Sequence, residues 1–194
     1  MSSSPWYAVV IAGGSSRRFG SDKLTALLEG ATVLDRAVAD LPRDWQILVV
    51  GPPRDVARAV TFVSEEPAGS GPGAALVAGA RAVLARGADR MVCLPGDAPA
   101  GGQAAVALAA ALTDGRTAVV AVDATGLQQP LQIAVRGPAL ASLAAHAPQD
   151  VVGSRARSLV DQLNPYPVAL SDALTADIDT PADAENWVRS HQAN

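Results

Sequence analysis

The alternation of short apolar runs with longer segments of helical spacing constrains the fold more than any other feature of this sequence. Residues 6–11 (WYAVVI) form a run typical of a buried strand, whereas residues 31–41 carry apolar side chains three and four positions apart, as on one face of a helix. Strands that alternate with helices predict crossover connections and a mainly parallel sheet. We therefore predict an α/β fold: a three-layer αβα sandwich built on a mostly parallel, twisted sheet.

The same patterns give limits for the other elements. Pro42 and Gly87 follow predicted helices, at positions where helices usually end. The length of the chain predicts one domain, spanning residues 1–194. Further strands are predicted at 46–50, 60–64, 90–94, 117–122, 132–135 and 167–170, and further helices at 74–86, 104–112, 138–146, 155–163 and 180–189.

Composition limits the classes of function. The 194 residues are 49% apolar and 18% charged, a balance typical of a folded protein. The apolar runs are far shorter than the roughly 20 residues of a membrane span, and a net charge of −4 argues against nucleic acid as the main partner. The lone cysteine, Cys93, and a start without signal-peptide character favour a cytoplasmic protein. Only His146 and His191 could serve histidine catalysis or a zinc site, and they lie far apart in sequence.

A glycine-rich segment, residues 12–23 (AGGSSRRFGSDK), follows the first predicted strand. Its glycines let backbone N–H groups approach an anion closely, and Arg17, Arg18 and Lys23 supply positive charge. Lys23 is the one lysine among fifteen basic residues, and its compact ammonium suits a crowded phosphate pocket. The segment has neither the Gly-Lys-Ser/Thr ending of a P-loop nor the Gly-x-Gly-x-x-Gly of a dinucleotide site. It predicts a polyphosphate-binding loop, with a solvated basic turn as the alternative.

Two more loops follow predicted strands. Residues 65–73 (EEPAGSGPG) follow the strand at 60–64, and residues 95–99 (PGDAP) follow the strongly apolar strand at 90–94. Parallel α/β sheets place their sites at the carboxyl ends of strands, so we expect these loops to lie near the first one. Asp97, held between two prolines, suits Mg²⁺, which favours one or two carboxylates with phosphate oxygens and water. An aspartate that caps the next helix is the alternative.

The first loop resembles the signature of nucleotidyltransferases, in the form most similar to the molybdenum cofactor guanylyltransferases. Phe19 stands where that family usually has methionine, an apolar exchange that we interpret as packing. The resemblance runs in family order from Val9 to Trp187 and implies a nucleotidyltransferase-like fold. The matching loop residues are Ala12, Gly13, Gly14, Ser16, Arg17, Arg18, Gly20, Asp22 and Lys23.

The resemblance implies the transfer of GMP from GTP to molybdopterin, with Mg²⁺ as cofactor and release of pyrophosphate. One alternative is a sister nucleotidyltransferase that uses CTP or another nucleoside triphosphate and a different phosphorylated acceptor. Another is a non-catalytic nucleotide-binding protein. We expect no nucleic-acid or membrane partner, and a monomer or weak homo-oligomer in the cytoplasm.

The resemblance also implies site residues. Lys23, Asp97 and Arg18 are expected to be catalytic: the two cations hold the β- and γ-phosphates, and Asp97 binds Mg²⁺. Glu66 stands where the family usually has an aspartate that helps to hold the nucleotide, and the alternative is that Glu65 and Glu66 are surface charges. The expected nucleotide-binding residues are Ile11, Ala12, Gly13, Gly14, Lys23, Glu66, Gly71 and Asp97.

Residues 177–183 (DIDTPAD) stand where the family has Asn-x-Asn-Thr-Pro-Glu-Asp. The resemblance implies that Asp177 or Asp179 is a second metal ligand opposite Asp97, and Asp179 is the one we select. The alternative is a purely structural segment, because Thr180 before Pro181 has the pattern of a helix N-cap. Residues 128–131 and 153–159 correspond more loosely to family segments near the acceptor.

Overall fold

A seven-stranded sheet forms the middle layer of the structure, a computed structural model that describes residues 4–14 and 19–192. The strand order is β5-β4-β1-β6-β8-β7-β9, and every neighbouring pair is parallel except the two that involve β8. The predicted mostly parallel sheet is therefore confirmed. The strands are β1 (Tyr7–Ile11), β4 (Gln46–Val50), β5 (Thr61–Val63), β6 (Arg90–Pro95), β7 (Ala118–Val122), β8 (Gln128–Arg136) and β9 (Tyr166–Ala169), and β2 (Leu27–Leu28) pairs with β3 (Ala31–Thr32) in a separate hairpin.

Helices cover both faces of the sheet, because successive strand residues point to opposite sides and both sides are apolar. Val9 packs in the core beneath α2, α4 and α5, whereas Val10 packs in the core beneath α1, α3 and α7. The three-layer αβα arrangement is thus confirmed. Within the described residues, no helix combines the length and the apolar character needed to cross a bilayer. The helices are α1 (Val33–Ala39), α2 (Pro72–Leu84), α3 (Gly101–Ala111), α4 (Pro138–Ala145), α5 (Ala156–Asp161), α6 (Asp172–Thr175) and α7 (Pro181–Gln192).

The first helix is shorter than predicted at both ends. The prediction of a helix over 31–41 is wrong for residues 31–32, which pair with β2. Thr32 then caps α1: its hydroxyl accepts from the Asp35 N–H at 3.0 Å, and the Asp35 carboxylate accepts from the Thr32 N–H in return. The local hairpin therefore moves the start of the helix to Val33.

The antiparallel strand β8 is longer than the predicted 132–135. Residues 128–131, which correspond loosely to a family segment near the acceptor, lie inside it. The strand was not predicted there because these residues are mostly polar, and the prediction relied on runs of apolar residues. Pro130 falls where the pairing with β7 shifts register, between the Val120–Ile133 and Ala121–Gln129 pairs, which is a position where a strand tolerates proline.

The remaining differences are small. The other predicted helices begin or end within three residues of the observed limits, and the four-residue helix α6 was not predicted. Strand 46–50 has the predicted limits. Cys93 lies fully buried in β6, and burial raises the pKa of its thiol well above the ordinary value, so it stays protonated and inert.

Candidate active site

The carboxyl ends of β1 and β6 bring two predicted loops side by side. The strands are parallel neighbours in which Ile11 is aligned with Pro95, and the Gly96 N–H donates to the Ile11 carbonyl at 2.9 Å. Gly51, at the end of β4, lies equally close on the other side, where a Cβ would come within 2.6 Å of the Ala12 carbonyl oxygen. The glycine-rich loop therefore leaves the sheet between two close backbone neighbours.

The ammonium of Lys23 lies between two carboxylates. Its Nζ is 2.6 Å from Asp97 Oδ2 and 2.8 Å from Asp179 Oδ1. Lys23 begins a short 3₁₀ helix (Lys23–Thr25), which Asp22 caps by accepting from the Leu24 N–H at 3.2 Å. The structure thus joins the predicted first and third loops with the predicted C-terminal metal ligand.

The surroundings keep Lys23 charged. Burial by itself would lower its pKa, but hydrogen bonds to Asp179 and Asp97, together with their negative charges, outweigh burial and raise the pKa above the usual lysine value. The side chain is 16% exposed, so this ammonium is a mostly buried positive charge held by two carboxylates.

Three carboxylates form one cluster. Asp97, Asp177 and Asp179 each offer an oxygen, and these oxygens all lie within 4.8 Å of one another. The Ile178 N–H donates to the Asp97 carbonyl at 2.8 Å, and the Ile178 side chain is buried, so the backbone between the two C-terminal aspartates is anchored on the Asp97 loop. This anchor holds both aspartates beside Asp97.

The last helix, α7, is capped by Thr180 and Asp183 rather than by Asp177 or Asp179. The Asp183 carboxylate accepts from the Thr180 N–H at 2.7 Å, and the Thr180 hydroxyl accepts from the Asp183 N–H at 3.2 Å. Thr180 therefore has the N-cap role that its sequence pattern indicates. The Asp179 side chain points instead to Lys23, so capping alone does not account for it.

The cluster suits a divalent cation. Desolvation, and then the charges of Asp97 and Asp179, raise the pKa of Asp177, and the nearby charge of Lys23 offsets only part of this rise. Oxygens bound to one Mg²⁺ at about 2.1 Å lie about 3–4 Å apart, and the three carboxylate oxygens here lie within 4.8 Å of one another. Carboxylate oxygens are also the ligands that hard divalent cations prefer.

The glycine-rich loop is described at its two ends. Ile11 and Ala12 are buried where β1 ends, and Gly13 and Gly14 are exposed. Gly14 has a φ of +123°, a conformation that glycine adopts readily. Three predicted site residues of the loop, Ser16, Arg17 and Arg18, lie outside the described residues.

The second loop lies farther along the same edge, beyond β5. Glu66 is exposed and lines a cavity of about 200 Å³ together with Ser64 and Arg81. The Glu65 carboxylate accepts from the Gly69 N–H at 2.9 Å, which gives it a role inside the loop. Glu66 therefore lies exposed beside the edge strand β5, whereas the Lys23 cluster lies at the ends of β1 and β6, two strands farther along the sheet.

Gly73, at the end of the second loop, packs closely against Ser154. Gly71 precedes α2, and two residues later the Gly73 N–H donates to the Ser154 carbonyl at 3.2 Å. A Cβ on Gly73 would lie 2.1 Å from Ser154 Oγ, so any larger residue would collide. The Gly153 N–H in turn donates to the Ser70 carbonyl at 2.7 Å. The two segments therefore pack directly on each other.

The loosely assigned acceptor segments make mostly structural contacts. Arg157 donates to the Gln128 carbonyl at 2.8 Å, and Gln129 donates to Asp123 at 2.9 Å. Arg155 is exposed directly before α5. These bonds connect α5 with β8 and hold the β7–β8 turn.

Sequence reasoning missed one residue of the site, Arg54. Its guanidinium donates to Asp22 Oδ2 at 2.7 Å and to the Ala12 carbonyl at 2.9 Å. An arginine after Gly51-Pro52-Pro53 carries no local signal of this contact, because its partners lie 32 and 42 residues away.

Comparisons with known proteins identify relatives of this chain. Residues 8–166 match the family of the MobA-like NTP transferase domain. A stretch of 171 residues is 31% identical to the molybdenum cofactor guanylyltransferase of Acidiphilium cryptum (strain JF-5), and it covers 82% of this chain and 86% of that protein. The family match ends before Asp177 and Asp179, so the assignment of the family does not depend on the C-terminal aspartates.

Solved structures share the fold. Molybdopterin-guanine dinucleotide biosynthesis protein A from Archaeoglobus fulgidus, 18% identical, has a TM-score of 0.69 over 97% of this chain and 100% of that chain. Rv0371C from Mycobacterium tuberculosis H37Rv, solved in complex with manganese, is 16% identical and has a TM-score of 0.65 over 97% of this chain and 100% of that chain. Together with the match to residues 8–166 and the guanylyltransferase relative, this shows that the chain belongs to the MobA-like NTP transferase family and is a nucleotidyltransferase.

Proposed function

We propose that this nucleotidyltransferase transfers GMP from GTP to molybdopterin in a Mg²⁺-dependent reaction. The observation that carries the proposal is the position of Lys23, whose ammonium lies within 2.8 Å of both Asp97 and Asp179 at the end of a glycine-rich loop. One cation beside a carboxylate cluster provides, in one place, a contact for a triphosphate and ligands for a divalent metal. The name of the Acidiphilium relative supports GTP and molybdopterin as the substrates.

The reaction forms one bond and breaks one. An oxygen of the acceptor phosphate attacks the α-phosphorus, and the bond from that phosphorus to the oxygen bridging the α- and β-phosphates breaks, so pyrophosphate leaves with the electron pair. A phosphate is already anionic at neutral pH and needs no general base. Catalysis then depends on bringing anions together and on stabilising the charge that develops on the leaving group.

The protein supplies charge and position. In our proposal the Lys23 ammonium holds the β- and γ-phosphates, and the exposed backbone of Gly13 and Gly14 lines the phosphate tail. Arg18 would add a second cation to the same phosphates. Partial burial of Lys23 strengthens its interaction with the leaving group, because water screens a charge less where it is excluded.

Asp97 and Asp179 are the proposed ligands of Mg²⁺, with Asp177 as the third carboxylate of the cluster. When bound, Mg²⁺ neutralises phosphate charge and polarises the α-phosphorus toward attack. The fit rests on the donor set of three carboxylates, and the solved neighbour with manganese supports a divalent metal. The aspartates at 177 and 179 would hold the ion with more negative charge than asparagines at the same positions.

A nucleotide screen tests the proposed function. The purified protein is melted with Mg²⁺ and each of GTP, CTP and ATP, and pyrophosphate release is measured with and without molybdopterin. We expect GTP to give the largest rise in Tm, and pyrophosphate release to require molybdopterin. A preference for CTP would support a sister nucleotidyltransferase, and nucleotide binding without release under any condition would overturn the proposal.

Glu66→Ala tests base recognition. A carboxylate can accept from both N1–H and N2–H of guanine, whereas adenine offers no such pair of donors. We expect KM for GTP to rise about 10-fold, the scale for a lost hydrogen bond to a charged group, and KM for ATP to stay unchanged. Steady-state kinetics with both nucleotides checks this result.

Glu66→Asp and Glu65→Ala are the controls. The aspartate variant restores the residue type of the family and should retain the preference for GTP. Glu65→Ala removes a neighbouring charge whose bond is internal to the loop, so it should affect the two nucleotides equally. Equal losses for GTP and ATP in Glu66→Ala would show that Glu66 does not recognise guanine.

A further inference from the structure

Arg54 connects the two ends of the glycine-rich loop. Its Nη1 donates to the Ala12 carbonyl at 2.9 Å and to the Pro52 carbonyl at 3.1 Å, and its Nε lies 2.7 Å from Asp22 Oδ2. Ala12 begins the loop and Asp22 ends it, directly before Lys23. The guanidinium side chain is only 9% exposed, so a charged group has been placed almost entirely inside the protein to make these bonds.

Asp22 carries this contact on to Lys23. One of its carboxylate oxygens accepts from Arg54, and the other accepts from the Leu24 N–H at 3.2 Å, at the first turn of the 3₁₀ helix that Lys23 begins. The Asp22 carbonyl also accepts from the Thr25 hydroxyl at 2.8 Å. Asp22 therefore bonds to both residues that follow Lys23, and Arg54 in turn bonds to Asp22.

We propose that Arg54 is a positioning residue that ties Ala12 to Asp22, at the two described ends of the phosphate-binding loop, and sets the place of Lys23. This inference rests on the proposed function, because it assigns the loop and Lys23 to the triphosphate. Arg54 acts through Ala12 and Asp22: its Nε pairs with the Asp22 carboxylate, and its Nη1 donates to the backbone carbonyls of Ala12 and Pro52. The planar fork of a guanidinium can hold both loop ends at once, which a lysine ammonium cannot do with the same geometry.

A purely structural arginine in the same connection provides a matched control. Arg58 donates to the carbonyls of Val38, Leu41 and Pro42. It therefore stabilises the end of α1 and has no bond to the glycine-rich loop among these contacts. Arg54 and Arg58 thus both bind backbone carbonyls from one segment between β4 and β5. They differ in the carbonyls that they bind: Arg54 binds that of Ala12 in the glycine-rich loop, whereas Arg58 binds carbonyls at the end of α1.

The test compares Arg54→Ala and Arg58→Ala in full-length protein with Mg²⁺, GTP and molybdopterin. We expect Arg54→Ala to raise KM for GTP and lower kcat/KM for GTP by about 10- to 100-fold, the scale for misplacing a group that orients substrate. KM for molybdopterin should stay unchanged. Arg58→Ala should lower Tm while leaving KM for GTP as in the wild type.

Two more variants make the result independent of folding. Arg54→Lys keeps the charge and should give an intermediate KM for GTP, with a Tm close to that of the wild type. If Arg54 acts through Asp22, the double variant Arg54→Ala/Asp22→Ala should lose no more kcat/KM than the more damaged single variant. The rise in Tm on adding GTP should shrink in Arg54→Lys and stay normal in Arg58→Ala.

The outcomes separate the inference from the proposed function. Wild-type protein that neither binds nor turns over any nucleoside triphosphate would refute the function itself. Active wild-type protein whose Arg54→Lys variant shows unchanged KM and unchanged protection by GTP would overturn the role of Arg54. If the loss of kcat/KM in Arg54→Ala/Asp22→Ala equals the sum of the losses in the two single variants, Arg54 does not act through Asp22.

Discussion

Lys23→Ala is expected to lower kcat/KM for the nucleotide by about 10²–10³, which corresponds to about 3–4 kcal/mol of transition-state stabilisation. The ammonium is partly buried and keeps its charge, because the two carboxylates that flank it raise its pKa. In the proposed reaction, a cation in such a place would stabilise the negative charge that develops on departing pyrophosphate. Steady-state kinetics at saturating Mg²⁺, with the nucleotide varied, measures the loss.

The charge and the shape of Lys23 can be tested separately. Lys23→Met keeps an unbranched side chain of similar length without the charge, and it should be as inactive as Lys23→Ala. Lys23→Arg keeps the charge, but a planar guanidinium does not fit a gap in which one nitrogen lies 2.6 Å and 2.8 Å from two carboxylates. We therefore expect this variant to recover only a small part of the activity.

Metal binding supplies a second readout for Lys23. Removing the ammonium leaves Asp97 and Asp179 without the cation that now pairs with both of them. We expect Lys23→Ala to bind Mg²⁺ at least as tightly as the wild type does, as measured by titration calorimetry, while turnover is lost. Wild-type turnover in Lys23→Ala, or in Lys23→Met, would remove Lys23 from the catalytic machinery.

The fold could be predicted where local pattern decides it. Residues 46–50 are a short, mostly apolar run before Gly51-Pro52, and the strand has those limits. The first half of β8 was not predicted, because residues 128–131 are mostly polar and are held by pairing with β7 rather than by burial. The start of α1 was placed too early, because the sequence pattern gives no weight to the hairpin that residues 31–32 complete.

The candidate site could be predicted where a motif lies directly after a strand. Lys23 and Asp97 were selected that way, and parallel strands bring the ends of β1 and β6 together. The convergence of Asp179 on Lys23 depends on a bond from the Ile178 N–H to the Asp97 carbonyl, 81 residues away along the chain. Such long-range contacts have no signature in local spacing, and for the same reason Arg54 was missed.

Asp97→Ala is expected to abolish Mg²⁺-dependent activity, with a loss of at least about 10³-fold if the metal supplies several kcal/mol of charge stabilisation. The fold should survive the change, since it is the Asp97 backbone carbonyl, and not its side chain, that holds Ile178. Asp97→Asn, which keeps the size and removes the charge, should be nearly as inactive. Kinetics across a range of Mg²⁺ concentrations measures both variants.

Variants of Asp177 and Asp179 test which of the two contributes more to the proposed binding of Mg²⁺. Because Asp179 is the less exposed of the two, Asp179→Asn should weaken Mg²⁺ binding more than Asp177→Asn does. An asparagine still offers a carbonyl oxygen, so both losses should be smaller than that of Asp97→Ala. If Asp97→Ala keeps Mg²⁺-dependent turnover while Asp177→Asn loses it, the metal is held by the C-terminal segment instead, and Asp97 serves only to pair with Lys23.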